Sequence, residues 1–167
     1  MCIAAWIWQA HPLYPLVLLH NRDELHDRPA KAVGWWDWDS SRKILAGRDM
    51  QAGGTWMGCT KDGRIAFLTN VLEPSSQIVP FSKSRGDLPV QFLQSKMTPL
   101  EFAEQVIKQE DWYNGFNLVI ADICTKQMVY VSNRPKQNHS PSIQIITSGL
   151  HVLTNAARLD APWDKVI

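Results

Sequence analysis

The chain has 167 residues, of which 17 Lys and Arg balance 16 Asp and Glu, and its formal net charge is +1. With 45% hydrophobic and 20% charged residues, the composition is typical of one ordinary globular domain, which we expect to span 1–167. A chain this long can bury a core without disulfides or a structural metal. The near-neutral charge argues against a broad phosphate-binding face, so nucleic acid is a poor candidate partner.

Three cysteines, Cys2, Cys59 and Cys124, stand far apart without a Cys-x-x-Cys motif. This pattern fits neither a disulfide framework nor a zinc site, and it favours a reducing compartment. No basic segment followed by a long apolar run opens the chain, so we expect neither a secretory signal nor a transmembrane segment.

In chain order, the first half has mainly strand patterns, some followed by turn residues such as Asp62-Gly63. The expected strands are Cys2 to Gln9, Leu16 to His20, Ile44 to Ala46, Thr55 to Thr60 and Arg64 to Thr69. Asp37 to Ser41 has the composition of a polar turn. The first two strands predict a hairpin that starts at the amino terminus.

The second half contains one clear helix signal followed by further strands. Thr98-Pro99-Leu100-Glu101 is a capping box with proline at the first helical position, and it predicts a helix to about Gln109. Strands are expected at Asn117 to Ala121, Met128 to Ser132, Ile143 to Ile146 and Val152 to Thr154. The pattern predicts an α+β fold built mostly of antiparallel sheet. A last helix signal begins at Asp160, and we expect a domain truncated at its C-terminus.

The residue after the initiator methionine is a cysteine, and removal of Met1 would place a thiol and a free α-amino group on Cys2. Such a residue combines a nucleophile with its own base, because an α-amine titrates near pH ~8 and a thiol near pH ~8.5. The alternative is that Cys2 is a small apolar residue buried in an edge strand.

Polar residues follow several of the expected strands. Asn21-Arg22-Asp23-Glu24 ends the strand that pairs with the Cys2 strand, so Arg22 is expected beside Cys2, where it could orient a carbonyl or carboxylate. Asn70 and Asn155 each follow a Leu-Thr pair at the end of a strand. Asparagine at such positions can donate to an oxyanion, although closing a turn is its commoner use.

Eight tryptophans give the chain an unusual aromatic content. Trp35, Trp36, Trp38 and Trp56 are candidates for a binding cleft, and packing in the core is the alternative. Gly54 precedes Trp56 and could bring the backbone close to a ligand. The metal-capable residues between His20 and His26 have no spacing that would bring them together, so we expect no metal site.

The combination of Met1-Cys2, Asn21-Arg22-Asp23-Glu24, Gly53-Gly54-Thr55-Trp56 and Thr69-Asn70-Val71 resembles the transport and Golgi organisation 2 family, also called the NRDE family. The resemblance extends over the whole chain, including Ser84-Arg85-Gly86 and Asn155 to Trp163. That family in turn resembles the cysteine branch of the N-terminal nucleophile hydrolases. The resemblance implies a four-layer αββα sandwich with Cys2 at the rim of its sheets.

Carried over by position, the resemblance implies that Cys2 is the nucleophile and its amine the base, that Arg22 orients them, and that Asn70 contributes to the oxyanion hole. Asp23 is expected as a further residue of the catalytic site. Asn155 would be a second polar site residue. One departure is that the aspartate of those amidases stands a few residues after the arginine, whereas Asp23 directly follows Arg22.

The resemblance also implies roles in secretory and Golgi organisation and in lipid or haem homeostasis, with a cytoplasmic, mitochondrial or Golgi-associated location. No cofactor is required by it, and haem enters only as a candidate transported ligand. Two functions are therefore open: handling of a small-molecule or lipid-like ligand on a hydrolase-like scaffold, and cysteine-dependent hydrolysis of an acyl amide. Oligomeric state does not follow from the sequence.

Overall fold

A computed structural model describes residues 2–36, 43–135 and 142–161. Its elements, in chain order, are strands and two α-helices, with short 3-10 turns at Ser75–Gln77 and Glu110–Trp112. The strands are β1 Ile3–Trp8, β2 Leu16–Asn21, β3 Ala30–Trp35, β4 Ile44–Asp49, β5 Met57–Thr60, β6 Arg64–Asn70, β7 Phe116–Asp122, β8 Gln127–Ser132, β9 Ser142–Ile145 and β10 Gly149–Leu153. The helices are α1 Asp87–Gln94 and α2 Pro99–Ile107.

The first sheet has three antiparallel strands in the order β10-β1-β2. Alternate residues of β1, namely Ala4, Trp6 and Trp8, are almost completely buried, because successive side chains of a strand point to opposite faces. Ala4 pairs with Leu153 on one side and with His20 on the other. This face of the sheet therefore packs on the second sheet.

The second sheet has seven strands in chain order from β3 to β9, and each neighbouring pair is antiparallel. Residues Phe116 to Ala121 of β7 are all fully buried, because one face of this central strand covers the first sheet and the other lies under the helices. The turn between β5 and β6 contains Gly63 at φ +87°, a conformation that glycine adopts without strain.

Both helices cover the outer face of the seven-stranded sheet. Thr98 and Glu101 form the reciprocal capping box expected at the start of α2. Phe92 of α1 and Phe102 of α2 meet edge to face at 5.3 Å between ring centroids, over the apolar outer face of the sheet. A second apolar cluster, which includes Trp6, Phe67 and Tyr130, fills the space between the two sheets.

These layers confirm the α+β class, and helices, sheet and sheet are three of the four layers expected of an αββα sandwich. The sequence analysis missed β3 and α1. The first turn of α1 lacks a capping side chain and α1 contains Pro89, so the usual helix signals are weak. The turn at Asp37 to Ser41 lies outside the described residues, and so does the chain after Ala161. Among the helices of the described segments, none is long and apolar enough to cross a membrane.

Candidate functional site

The β1-β2 hairpin brings Cys2 and Arg22 to the same end of the first sheet. Ile3 pairs with Asn21 in the last register pair of this hairpin, so Cys2 and Arg22 follow as the next opposing positions. Both residues line one cavity of about 250 Å³, together with Asn70 and Trp56 from the second sheet. We call this cavity the Cys2 cleft. The structure thus brings together Cys2, Arg22 and Asn70, which the sequence offered as catalytic candidates, and Trp56, which it offered as a binding-cleft candidate.

The Cys2 cleft is rich in charged side chains. Its cationic lining residues are Arg22, Arg28, Lys83 and Arg85, and its acidic ones are Glu24 and Asp49. Cations therefore outnumber acids among the described lining residues, and the cleft favours a ligand group that carries negative charge or a strongly polarised carbonyl.

Arg22 is held between an acid and an aromatic ring. Its Nη2 lies 3.7 Å from Oδ2 of Asp49, and its guanidinium lies 4.5 Å from the centroid of the Trp56 ring. Nε of Arg28 donates to the same Asp49 oxygen at 2.6 Å. Burial opposes ionisation of Asp49, but the Arg28 hydrogen bond and two backbone N–H donors outweigh it, and the pKa of Asp49 is lowered. Asp49 is thus an ionised anchor for both arginines.

Asp23 contacts Cys2 through its backbone. The Cys2 thiol donates to the carbonyl oxygen of Asp23 at 3.8 Å. Because β2 ends at Asn21, Asp23 lies beyond the strand alternation that would have fixed its direction. Asp23 is exposed and does not line the Cys2 cleft. The residues on either side of it, Arg22 and Glu24, do line the cleft.

Asn155 holds the backbone of Asn70 in place beside the cleft. It is 8% exposed, and its side-chain amide donates to the backbone carbonyl of Asn70 at 2.5 Å. The N–H of Leu72 donates to the Asn155 carbonyl at 2.9 Å. Asn70 lines the cleft, whereas Asn155 fixes the backbone that carries Asn70. The structure therefore separates the two asparagines that the sequence treated alike.

Gly54 allows two backbone segments to touch at the wall of the cleft. A Cβ atom at Gly54 would lie 2.5 Å from the carbonyl carbon of Gly86, closer than any real contact. The next residue, Thr55, donates its N–H to the Gly86 carbonyl at 3.1 Å. This contact brings Arg85 to the cleft, where its Nη1 donates to the carbonyl of Gly115 at 3.0 Å and burial lowers its pKa.

A second cavity, of about 660 Å³, opens between the two sheets next to the cleft. We call it the apolar groove. Leu16 and Leu18 of β2 form one side, and the other lining residues, mostly apolar, come mainly from β3, β4 and β5. Trp56 lines both the groove and the Cys2 cleft. A Cβ atom added at Gly47 would lie 2.8 Å from the Trp56 indole, which is too close. Glycine at position 47 therefore leaves the space that the ring occupies.

Trp35 and Trp36, two further candidates for the binding cleft, lie elsewhere. Trp36 packs in the core beneath the helices, and its indole N–H donates to the Ala46 carbonyl at 3.1 Å. Trp35 is 44% exposed, and its ring faces the Lys61 ammonium at 5.1 Å. Neither of them lines the cleft or the groove. Trp38 lies outside the described residues.

Sequence reasoning did not single out Arg28, Asp49 or Lys83 as cleft residues. Arg85 stood in a quoted motif but received no role. Their place in the cleft depends on tertiary structure and cannot be read from local sequence. Each lies on a loop or at a strand end whose position depends on the pairing of distant segments. No group of three or more His, Cys, Asp or Glu side chains that could hold a metal ion occurs in the described part of the chain.

Comparison with known proteins gives consistent matches over most of the chain. The sequence pattern of the Transport and Golgi organisation 2 family matches residues 1–167. The mouse Transport and Golgi organization 2 homolog is 36% identical, with 99% of this chain and 60% of that protein covered. The human homolog is 35% identical over the same shares, so this chain spans about 60% of the length of these relatives. Penicillin V acylase from Agrobacterium tumefaciens is 15% identical at a TM-score of 0.42, with 86% of this chain and 41% of that one covered.

Proposed function

This chain belongs to the Transport and Golgi organisation 2 family, and on that premise we propose that it handles a small lipid-like ligand at the Cys2 cleft. The role would serve secretory and Golgi organisation, which the family name describes. The observation that supports it is the position of Trp56, which lines a charged cleft on one side and an apolar groove on the other.

The two cavities together support a ligand with one apolar and one polar part. An apolar body would fill the groove, since burial of apolar surface there contributes about 25 cal/mol per Å². A carboxylate or other polar end would meet the guanidinium of Arg22, which already lies in the cleft. An acyl lipid in the form of a fatty acid has an apolar body and a carboxylate, and haem has an apolar body and two carboxylates, so both belong to this class.

Binding of a fluorescent fatty acid and of haem tests the proposal. Trp56→Ala removes the wall shared by the two cavities and should weaken binding at least tenfold. Trp35→Ala is the matched control, because Trp35 is exposed and lines neither cavity. Equal affinity of the wild type and the Trp56 variant for both probes would reject the ligand-handling proposal. Tighter binding of one probe assigns the ligand type.

A second candidate function is hydrolysis of an acyl amide, and it is favoured by the presence of Cys2, Arg22 and Asn70 in one cleft. After removal of Met1, the α-amine of Cys2 would accept the thiol proton, and the sulfur would attack the amide carbonyl carbon. Asn70 would face the resulting oxyanion. The C–N bond then breaks, the amine leaves with the proton, and water hydrolyses the thioester to release a carboxylate.

A panel of acyl amides with intact-mass detection tests this second function. Turnover, with an acyl adduct on Cys2, is the expected result, and Cys2→Ala should abolish both. Cys124→Ala is the control, because Cys124 is exposed and lines neither the cleft nor the groove. Absence of turnover and of any adduct on wild-type Cys2 would reject hydrolysis and leave ligand handling as the function.

The location of the protein follows from the same family premise. We propose a cytoplasmic site of action with mitochondrial or Golgi association. Fractionation of cells that produce the protein at native level tests this, and recovery mainly from the culture medium would contradict it.

A further inference from the structure

A cluster of buried polar side chains lies between the two sheets, outside both cavities. Its centre is Asn117 of β7, which is 0% exposed, and its neighbours Thr69 of β6 and Tyr130 of β8 are each 1% exposed. Thr69 and Asn117 face each other in the register of their strands. Burying an amide without partners costs about 1–3 kcal/mol, so a fully buried asparagine needs its hydrogen bonds.

Every polar atom of the Asn117 amide has a partner. The Tyr130 hydroxyl donates to Oδ1 at 2.8 Å. Nδ2 of Asn117 donates to the carbonyls of Ala156 at 2.7 Å and Thr154 at 3.3 Å, and it lies 3.2 Å from Oγ1 of Thr69. The Thr69 hydroxyl itself donates to the Thr154 carbonyl at 2.6 Å. The two carbonyls set the orientation of the amide, since only its nitrogen can donate to them.

These contacts clamp the segment 154–156 on both sides of Asn155. Thr154 and Ala156, whose carbonyls Asn117 holds, flank Asn155 in the chain. Asn155 in turn donates to the Asn70 carbonyl, and Asn70 lines the Cys2 cleft. Two sets of hydrogen bonds, connected through the backbone of 154–156, thus link Tyr130 in the core to Asn70 at the cleft.

The same clamp connects the two sheets at the end where the cleft lies. Segment 154–156 continues directly from β10, and β10 pairs with β1, in which Ala4 faces Leu153. Cys2 precedes β1 in the first sheet, whereas Asn117 and Asn70 belong to the second. The Asn117 contacts therefore fix how far Cys2 stands from Asn70.

We propose that Asn117, oriented by Tyr130, is a positioning residue that sets the geometry between Cys2 and Asn70 by clamping 154–156 onto the second sheet. Asn117 does not line the cleft, so it acts through Asn155 and Asn70. The proposal rests on the Cys2 cleft being the functional site.

The test compares two reactions of Cys2 that differ in their need for Asn70. In acylation by p-nitrophenyl acetate, a C–S bond forms, the ester C–O bond breaks, and p-nitrophenolate leaves with the electron pair, through an oxyanion that Asn70 would face. In alkylation by iodoacetamide, the sulfur displaces iodide and no oxyanion forms. Peptide mapping by mass spectrometry gives both rates at Cys2 separately from Cys59 and Cys124.

The decisive variant is Asn117→Ser, and Asn133→Ser is its matched control. Asn133 is 2% exposed and its amide donates to the carbonyls of Tyr113 and Glu110 at 3.2 Å, away from segment 154–156. Both changes remove a buried amide, so both should destabilise the fold. If the Asn117 variant does not fold, Tyr130→Phe replaces it, with Tyr113→Phe as the control, because both keep the aromatic ring.

We expect the ratio of acylation to alkylation at Cys2 to fall at least about tenfold in the Asn117 variant, since loss of one oxyanion donor costs about a hundredfold or more. The Asn133 variant should keep the ratio. An unchanged ratio in a folded Asn117 variant, or an equal fall in its control, overturns the proposal.

A second measurement keeps the proposal distinct from amide hydrolysis itself. Hydrogen exchange of the Leu72 N–H, which donates to the Asn155 carbonyl, reports the position of Asn155 directly. It should accelerate in the Asn117 variant and not in the Asn133 variant. If wild-type Cys2 is alkylated but never acylated, the hydrolytic function is rejected, and the Leu72 exchange alone tests the positioning role of Asn117. Unchanged protection of the Leu72 N–H in the Asn117 variant then overturns that role.

Discussion

The guanidinium of Arg22 lies 4.5 Å from the centroid of the Trp56 ring, which joins the first sheet to the second across the Cys2 cleft. A cation over an aromatic face contributes about 0.5–2 kcal/mol, and the stack leaves the edge of the guanidinium open to Asp49 and to the cleft. Trp56 thereby orients the cation on one face while closing the apolar groove on the other.

Removal of Met1 is the first prediction. Cys2 is small enough to follow a cleaved initiator methionine, and the hydrolytic candidate needs its free amine. Intact mass of natively produced protein should show loss of one methionine. Retention of methionine in most molecules would exclude the hydrolytic candidate, because the α-amine would stand one residue too early.

Cys2 should be the most reactive of the three thiols toward a small electrophile. It lies in a cleft with Arg22 and Arg28, whereas burial raises the pKa of the Cys59 thiol. Arg22→Ala should slow labelling of Cys2, because it removes a cation of the cleft that attracts the anionic attacking sulfur. Arg48→Ala is the control, since Arg48 lies outside the cleft lining. Faster labelling of Cys59 than of Cys2 would contradict this prediction.

Gly54→Ala should destabilise the protein by about 1–3 kcal/mol, because its Cβ would overlap the Gly86 backbone and neither segment can move without breaking the wall of the cleft. Gly34→Ala is a matched control, since nothing lies within 4 Å of the Cβ it would add. Urea unfolding of both variants measures the difference. Equal midpoints would show that the contact between Gly54 and Gly86 is not tight in solution.

His20 should make the stability depend on pH below about 6.5, the usual pKa of histidine. Burial between the sheets lowers the pKa of His20, and its Nδ1 is buried without a hydrogen-bond partner among the described residues. The unfolded chain therefore binds a proton before the folded one does, and stability falls as pH drops from 6.5 toward the lowered pKa. The slope is at most about 1.4 kcal/mol per pH unit for one proton.

Urea unfolding between pH 5 and pH 7.5 measures this dependence. His20→Asn should flatten the profile in this range, whereas His26→Asn is the control, because His26 is exposed. A profile that keeps the same slope in the His20 variant assigns the effect to other groups.

The sequence predicted the parts of the site that depend on neighbouring strands. Cys2 and Arg22 belong to one hairpin, whose pairing follows from its turn and its apolar pattern. The strand of Asn70 was also clear from its apolar run. The sequence did not distinguish Trp36 from Trp56, since each stands two residues after a glycine and next to a strand. Only tertiary packing places Trp36 in the core and Trp56 at the cleft.

The remaining cleft residues depend on contacts between distant segments. Asp49 fits the strand pattern of β4. Nothing in that pattern predicts that its carboxylate binds Arg22 and Arg28, which lie in a different part of the chain. Asn117 reads as an ordinary strand residue, and its role requires β10 to lie against β7. Helix α1 lacked local signals because its start has no capping side chain, so it forms through packing of Phe92 and Leu93.

The first sheet joins β1 from the start of this sequence to β10 from near its end, and this has a consequence for synthesis on the ribosome. Cys2 emerges among the first residues, but Asn155, which supports Asn70, is translated near the end of these 167 residues. While the chain is being made, Asn70 would lack the hydrogen bond that Asn155 donates to its carbonyl. The cleft around Cys2 would therefore be complete only after nearly all of this sequence has left the ribosome. A reaction that needs the complete cleft would then occur only in chains whose long-range contacts have formed.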